Sequence, residues 1–261
     1  GWQEEIYRQL DFSTAPITPI FSSGWDRTLA EVQLDNRQVR IGAWQIQAGR
    51  TIIYLLDTNV EENSPQDRQL SARLYIADRE LRIQQEIVLG IGGVRILRAL
   101  GVNPVVWHAN EGHAAFMMLE RVREEIEDGA NLEEAIERIR PATVFTTHTP
   151  VPAGHDVFPV QLMEKYFHSY WGHLKMDRDA FMRLGQHDGN SDVFNMTILA
   201  LTMSEQRNAV SKLHGKASRK MWHMLWPKVK EEDVPITYGT NGMHVPTWVA
   251  SEMGQLYIKY L

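Results

Sequence analysis

Through the first third of the chain, apolar positions alternate with others at a period of two. Val39, Ile41 and Ala43 alternate with Gln38, Arg40 and Gly42, the pattern of a half-buried strand. Asp35-Asn36 offers a turn between the runs 29–34 and 39–45, so the spacing predicts a β-hairpin. Residues 51–56 (TIIYLL) form a short continuous apolar run, which predicts a buried strand. Residues 59–66 read as a polar loop containing Pro65.

From about Arg79 the period changes. Ile87, Ile91, Val94 and Arg98 step along one helical face, with Val88 and Leu97 beside it and Gly101 as a stop. Residues 104–107 predict a short strand. Residues 111–126 predict an amphipathic helix with Phe116, Leu119 and Val122 inward. Residues 132–139 predict a second helix, 143–146 a strand, and 160–174, 196–203 and 211–225 further helices before a strand at 236–238. The β-α-β order implies an α/β protein in which helices pack on a parallel sheet. No internal repeat or low-complexity segment interrupts it.

In open parallel sheets, ligands bind outside the carboxyl ends of the strands. Three polar, histidine-bearing segments fall there: His108 to His113 (HANEGH), Thr147 to Asp156 (THTPVPAGHD) and Gly239 to His244 (GTNGMH). Asn and His donate and accept hydrogen bonds as sugar hydroxyls do, which suits a neutral polyol. Gly and Pro in these turns bring rigid backbone close to a ligand. None of the three loops is dominated by Lys or Arg, so a phosphate site must come from elsewhere.

Composition narrows the options. With 261 residues, 43% of them hydrophobic and 23% charged, the chain can bury the core of one large domain or two modest ones. A net charge of −6 and a pI of about 5.9 argue against a nucleic-acid partner. Cysteine is absent, which removes disulfides, thiolate nucleophiles and Cys-based metal sites. No apolar run reaches the ~18 residues of a membrane span, so no membrane partner is expected. The chain opens at Gly1, directly in aromatic sequence (Trp2, Tyr7, Phe12), and stops at Leu261 inside an apolar helical pattern. Both ends are those expected of an internal fragment.

Several features invite sharper readings. Ten histidines raise a His-dependent metallohydrolase, since His108, His113, His148, His155, His214 and His244 could gather in space, yet there is no H-E-x-x-H spacing. A lone histidine is more often a hydrogen-bonded structural residue. His155-Asp156 reads as a turn and cap rather than a catalytic pair. Gly90-Ile91-Gly92-Gly93 resembles a dinucleotide loop, but Arg95 stands where the third glycine belongs, and close helix packing is the better reading. Asn195-Met196-Thr197 fits a glycosylation triplet of a kind common by chance. The charges at 121–127 read as a solvated helix face, and the tryptophans as core more often than as sugar platforms.

Residues 107–113 (WHANEGH), 144–156 (VFTTHTPVPAGHD), 208–214 (NAVSKLH) and 240–248 (TNGMHVPTW), with weaker matches at 55–59 and 81–86, lie in an order similar to that of the α-glucan (glycogen/maltodextrin) phosphorylase family. The second segment resembles the short-form bacterial and archaeal branch. Ala209 stands where that family usually has glycine, and its methyl is expected to crowd the backbone. The resemblance implies a Rossmann-like parallel sheet with helices on both faces, part of the N-terminal domain of a glycosyltransferase-B fold. Residues 1–240 would be the later part of that glucosyl-binding domain, and 241–261 the start of the C-terminal cofactor domain.

The implied activity is reversible phosphorolysis of α-1,4-glucan to glucose 1-phosphate with retention, in a cytoplasmic enzyme of an often allosteric family. Partners would be α-glucan, glucose 1-phosphate and inorganic phosphate; a homo-oligomer is compatible. A non-catalytic glucan-binding module descended from the enzyme is the alternative. The implied cofactor is pyridoxal 5'-phosphate, whose Schiff-base lysine would lie in the second domain; every lysine here lies at or beyond Lys165. By resemblance, His148 is catalytic: its side chain would hold the glucosyl 6-hydroxyl and its carbonyl would face the reacting sugar. Asn241 would share the 6-hydroxyl. Glu111, His113 and Thr149 would line the glucosyl site, Val210 would be an apolar wall, and Asp78, with Tyr75 supporting the alignment, an acid of the gate loop.

Overall fold

The structure, a computed structural model, describes residues 11–12, 14–74, 77–187 and 192–261. Trp2, Tyr7 and Tyr75 lie outside the described residues. The chain begins with an antiparallel layer: β1 (Thr18–Pro19), β2 (Ala30–Leu34), β3 (Arg37–Ala48) and β4 (Thr51–Asp57). Leu34 pairs with Arg37 around the expected Asp35-Asn36 turn, and Asp35 takes the left-handed conformation (φ 55°) that Asp tolerates. Val32, Leu34, Val39, Ile41 and Ala43 enter the core from this hairpin.

The run at 51–56 is a strand but not a buried one. Ile52, Ile53 and Leu55 remain 47%, 43% and 41% exposed. β4 pairs only with β3 among the described residues, so these side chains have no layer to meet. An apolar run specifies that a strand can be buried; it does not supply the partner.

Next comes one long helical stretch: α1 (Arg79–Ile87), a π-helical segment (Val88–Gly92) and α2 (Gly93–Ala99). Ile87, Ile91 and Val94 face the core as expected. Gly101 (φ 70°) ends it, with Val102 N donating to Leu97 O at 2.8 Å.

The rest is α/β. It runs through β5 (Trp107–Asn110), α3 (Phe116–Glu127), α4 (Leu132–Ile139), β6 (Thr143–Thr147), β7 (Val157–Pro159) and α5 (Val160–Phe167). It continues through α6 (Arg178–Arg183), β8 (Val193–Asn195), α7 (Met196–Met203) and β9 (Gln206–Ala209). It closes with α8 (Lys212–Trp222), β10 (Thr237–Tyr238), α9 (Val245–Trp248) and α10 (Ser251–Tyr260). β5, β6, β9 and β10 lie side by side in that order, all parallel, as a Rossmann-like sheet. β7 and β8 form a separate antiparallel pair.

Three expectations need correction. The strand expected at 104–107 starts at Trp107, where its N–H donates to Ala142 O at 2.8 Å; Val105 and Val106 are 87% and 60% exposed. His108 and Asn110 are therefore strand residues, not loop residues. The helix expected from 111 starts at Phe116, because Glu111 (φ 70°) is not helical and Gly112–Ala114 make a tight 3-10 turn. The helix expected over 160–174 ends at Phe167, and a second 3-10 turn covers Trp171–Leu174.

Arg121 also departs from the solvated-face reading. It is buried, its guanidinium bonded to Thr143 Oγ1 and Ile139 O, because α4 covers that side of α3. One helix position earlier, Glu120 is wholly buried. Arg95 grips it from two nitrogens (2.7 and 3.0 Å), Arg123 Nε lies at 2.9 Å and Tyr170 donates at 2.7 Å. Burial alone would raise the Glu120 carboxyl, but these partners outweigh it and hold its pKa below the usual range. Arg95 also donates to Glu31 O at 2.8 Å, tying the antiparallel layer to α3. Around it Phe116, Phe167, Phe181 and Phe194 stack in sequence, with centroids 4.7, 5.2 and 5.8 Å apart.

Gly90 sits where α1 and its π segment cross α3, the close packing the sequence suggested. A Cβ there would lie 2.7 Å from Met117 N and 2.8 Å from Phe116 Cβ. Nearby, Arg82 serves two carboxylates: Nε is 2.8 Å from Glu86 Oε1 and Nη2 is 3.0 Å from Asp156 Oδ2. Glu86 is the buried one. Burial first, then the nearby Asp156, push its pKa well above the ordinary carboxyl value.

Two expected outcomes follow from these contacts. Gly90→Ala should destabilise the protein by ~1–3 kcal/mol, because backbone cannot yield to the new methyl. Gly93→Ala, whose Cβ would meet only Leu56 Cδ1 at 3.8 Å, should be neutral or stabilising. Urea unfolding of both variants checks the contrast. For Glu86 the folded pKa exceeds the unfolded one, so its contribution is whole below the usual carboxyl range and is lost as pH rises through the raised value. Glu86→Gln stays neutral and escapes that loss. Its stability relative to wild type should grow as pH rises above the usual carboxyl range; a difference independent of pH would show that Glu86 does not titrate there.

Candidate active site

The carboxyl ends of β5, β6 and β9 are stitched by side chains. His108 Nε2 lies 2.7 Å from Thr146 Oγ1, and Thr146 donates to Asn208 Oδ1 at 2.8 Å. Because the single Thr146 hydroxyl proton goes to Asn208, His108 must donate from Nε2. This chain fixes three adjacent strand ends, and the loops that follow them start from one rigid edge.

Glu111 leaves β5 in an unusual conformation, φ 70° and ψ 169°, a region essentially restricted to glycine. Its amide donates to Thr146 O at 2.9 Å. Its carboxylate reaches over the end of β6. Oε1 accepts from Thr149 N (2.8 Å), Thr149 Oγ1 (3.2 Å), Thr147 Oγ1 (3.3 Å) and His148 N, while Oε2 accepts from Gly112 N at 3.3 Å. The exposed ring of His148 is thus carried on a backbone gripped from the neighbouring strand.

The far side of that loop is held as firmly. His214, on α8, donates from Nε2 to Thr149 O at 3.1 Å. Gly154 brings the chain back against Thr149, where a Cβ would lie 2.7 Å from Thr149 Cγ2. His155 is buried, its Nδ1 2.8 Å from Thr197 Oγ1 and its ring edge-on to Trp222 at 5.0 Å. Asp156 turns to Arg82 instead, and its carbonyl accepts from Met196 N at 3.1 Å. His155 and Asp156 therefore tie the turn to α7 and α1.

His113 is half-buried in the 3-10 turn after Glu111. Burial first, then the charge of Arg82, lower its pKa, while Asp156 and Glu111 pull the other way. Burial likewise lowers His155. Both rings are neutral near pH 7 and keep one donor and one acceptor each. Half-buried Val210 follows β9 and its carbonyl accepts from Asn241 N at 3.2 Å, which anchors the 239–244 loop to the end of β9. Ala209 is fully buried between Thr147 and Tyr238 of the flanking strands; the expected crowding by its methyl does not disturb the ladder.

Glu111, His113, His148, Thr149, Val210 and Asn241 thus share the strand-end edge. Asp78 does not join their contacts. It caps α1 through Leu81 N at 2.8 Å and lines a separate surface cleft of about 750 Å³ with Arg37, Glu80, Gln84, Lys165 and Tyr166. His244 pairs with Thr247 Oγ1 at 2.7 Å. Among the described residues no group of three His, Asp or Glu is arranged to hold a metal ion. Lys165 pairs with Glu80, Lys175 with Ala130 O and Lys230 with Glu232, away from the contacts of this edge.

Sequence reasoning missed Thr146, Asn208, Thr197 and Arg82. Thr146 and Asn208 lay inside quoted motifs, and their strand-end position was the available signal. Arg82 pairs with a residue seventy-four positions away, which no local pattern reveals.

No family model matches the chain. The maltodextrin phosphorylase of Thermococcus litoralis is 42% identical over 261 residues, covering 100% of this chain and 31% of that protein. The glycogen phosphorylase of Aquifex aeolicus is 37% identical over 262 residues, covering 100% and 37%. That of Mycobacterium tuberculosis (strain ATCC 25618 / H37Rv) is 41% identical over 269 residues, covering 98% and 31%. The chain spans 31–37% of the length of these curated relatives. Similarity of that strength along the whole chain, with the strand-end motifs assembled on one edge of a parallel sheet, means that the chain belongs to the maltodextrin/glycogen phosphorylase family.

Proposed function

We propose that the protein carrying this chain is an α-1,4-glucan phosphorylase that converts glucan and inorganic phosphate reversibly to glucose 1-phosphate with retention, and that this chain positions the glucosyl unit. The observation that carries the reading is the gripped His148 loop. A ring that must hold one hydroxyl of a sugar needs a fixed main chain beneath it, and Glu111 and His214 supply that from two elements. His148 and Asn241 hold the 6-hydroxyl, neutral His113 offers a donor and an acceptor nearby, and Val210 gives the apolar wall. Asp78 would reach the site only through the gate loop.

Fixing the ring this way serves catalysis by orientation, with backbone dipoles ready for the charge that develops at the reacting carbon. No carboxylate in this reading acts as a nucleophile, unlike the usual glycosidase pair. Pyridoxal phosphate is the cofactor this reading gives the whole protein, held by a lysine of its second domain, and the residues of this chain serve to place the sugar. The division at residue 240 is supported by α9 and α10, whose apolar Trp248, Leu256 and Ile258 stay exposed. No helix among the described residues is long and apolar enough to cross a membrane, in keeping with the proposed cytoplasmic location.

The first test is release of glucose 1-phosphate from maltodextrin and phosphate by the full-length protein. Binding of glucan with no phosphorolysis would leave the binding-module reading. The second concerns His148. A lost hydrogen bond to a buried hydroxyl costs ~1–3 kcal/mol, roughly a ten- to hundredfold loss in rate. His148→Ala should lower kcat/KM for glucose 1-phosphate by that factor but barely affect a 6-deoxy analogue, which has already lost the contact. Asn241→Ala should share the asymmetry, and His155→Ala should show little. Equal losses on both substrates for His148→Ala would remove the 6-hydroxyl from its role.

A further inference from the structure

We infer that Glu111 is a positioning residue that sets the main-chain orientation of His148, not a ligand of the sugar. The inference rests on the phosphorylase reading for what the loop does, but its geometry stands alone. The donors on Oε1 come from three consecutive residues, Thr147, His148 and Thr149. A carboxylate oxygen has about two acceptor sites, so that oxygen has none left for a sugar hydroxyl. The second oxygen turns back to Gly112 N.

The amide of Thr149 matters most. In a trans peptide the N–H and the preceding C=O point in opposite directions. With Thr149 N–H held on Glu111 at 2.8 Å, the His148 carbonyl must point away from Glu111. His214 Nε2 then fixes the next carbonyl, that of Thr149. Two successive peptide planes are set by two side chains, one from the end of β5 and one from α8. The carbonyl that the family resemblance places toward the reacting sugar is therefore aimed by Glu111.

The backbone of Glu111 points to the same division of labour. At φ 70° and ψ 169° glycine would be the relaxed residue, yet a glutamate stands there. The side chain is what the strained backbone carries, and its contacts lie in the loop.

The experiment compares Glu111→Gly, Glu111→Ala and Glu111→Gln in the full-length protein. Amide exchange at His148 and Thr149 should quicken by roughly tenfold or more in the Gly and Ala variants. Their kcat should fall by roughly tenfold or more with little change in KM, since what is lost is aim rather than contact. Gln keeps an acceptor oxygen and should retain activity and protection within about fivefold of wild type. The Gly variant, freed of backbone strain, should melt no lower than the Ala variant, which separates the kinetic loss from misfolding. Raised KM with unchanged kcat, a Gln variant as impaired as Ala, or unchanged exchange in the Ala variant would each overturn the inference. If wild-type protein shows no phosphorolysis, the functional reading fails, and the exchange measurement still decides whether Glu111 holds the loop.

Discussion

Glu111 keeps a backbone conformation that costs an L-residue ~1–3 kcal/mol, and its hydrogen bonds at the end of β6 hold it there. Each such bond contributes ~0.5–1.5 kcal/mol net, so a few of them offset the strain. Much of the site follows from that arrangement. Because Glu111 is not helical, α3 cannot begin before Phe116, and His113 is left in a tight turn facing the β6 loop. Because the carboxylate reaches sideways, the loop after β6 is tied to β5 rather than to its own helix. The cross-strand chain from His108 through Thr146 to Asn208 keeps the strand ends level enough for that reach.

Most of the scaffold was legible where the signal is local. Asp35-Asn36 marks its hairpin through turn chemistry, and the helices Leu132–Ile139 and Met196–Met203 fall where periodicity placed them. Asn131, with its reciprocal bonds to Glu134, caps the first of these. What was not legible depends on a partner. The apolar run in β4 could not announce that no described element covers it, and Arg121 could not announce that α4 does. The loops of the site stood out because histidines clustered after strands. Glu111's true contacts did not, since only a folded chain shows a glutamate in a glycine conformation.

Apart from the Glu111 carboxylate, whose Oε1 is taken up by donors of the β6 loop, the chemistry of this edge is that of neutral groups. Burial keeps His113 and His155 uncharged, and Thr, Asn and backbone amides supply the remaining polarity. Such an edge offers paired donors and acceptors without a strong field, which fits hydroxyls better than phosphates. The other charged residues work one layer behind. Arg82 holds Asp156 beneath the loop, and Arg95 and Arg123 neutralise Glu120 beneath α3. Those ion pairs specify how the helices seat, and the edge above them inherits its geometry.

The four parallel strands follow one another across the sheet in chain order, like a one-way staircase. In doubly wound sheets the ligand crevice opens where the order reverses and neighbouring loops diverge to opposite sides. Among the described strands there is no such reversal. Right-handed crossovers that all step the same way lead successive loops to the same side, where they crowd rather than part. Room for a ligand above β5, β6 and β9 therefore does not come free with the topology. It has to be propped, and a residue that pulls the β6 loop sideways toward the edge strand is the prop such a sheet requires.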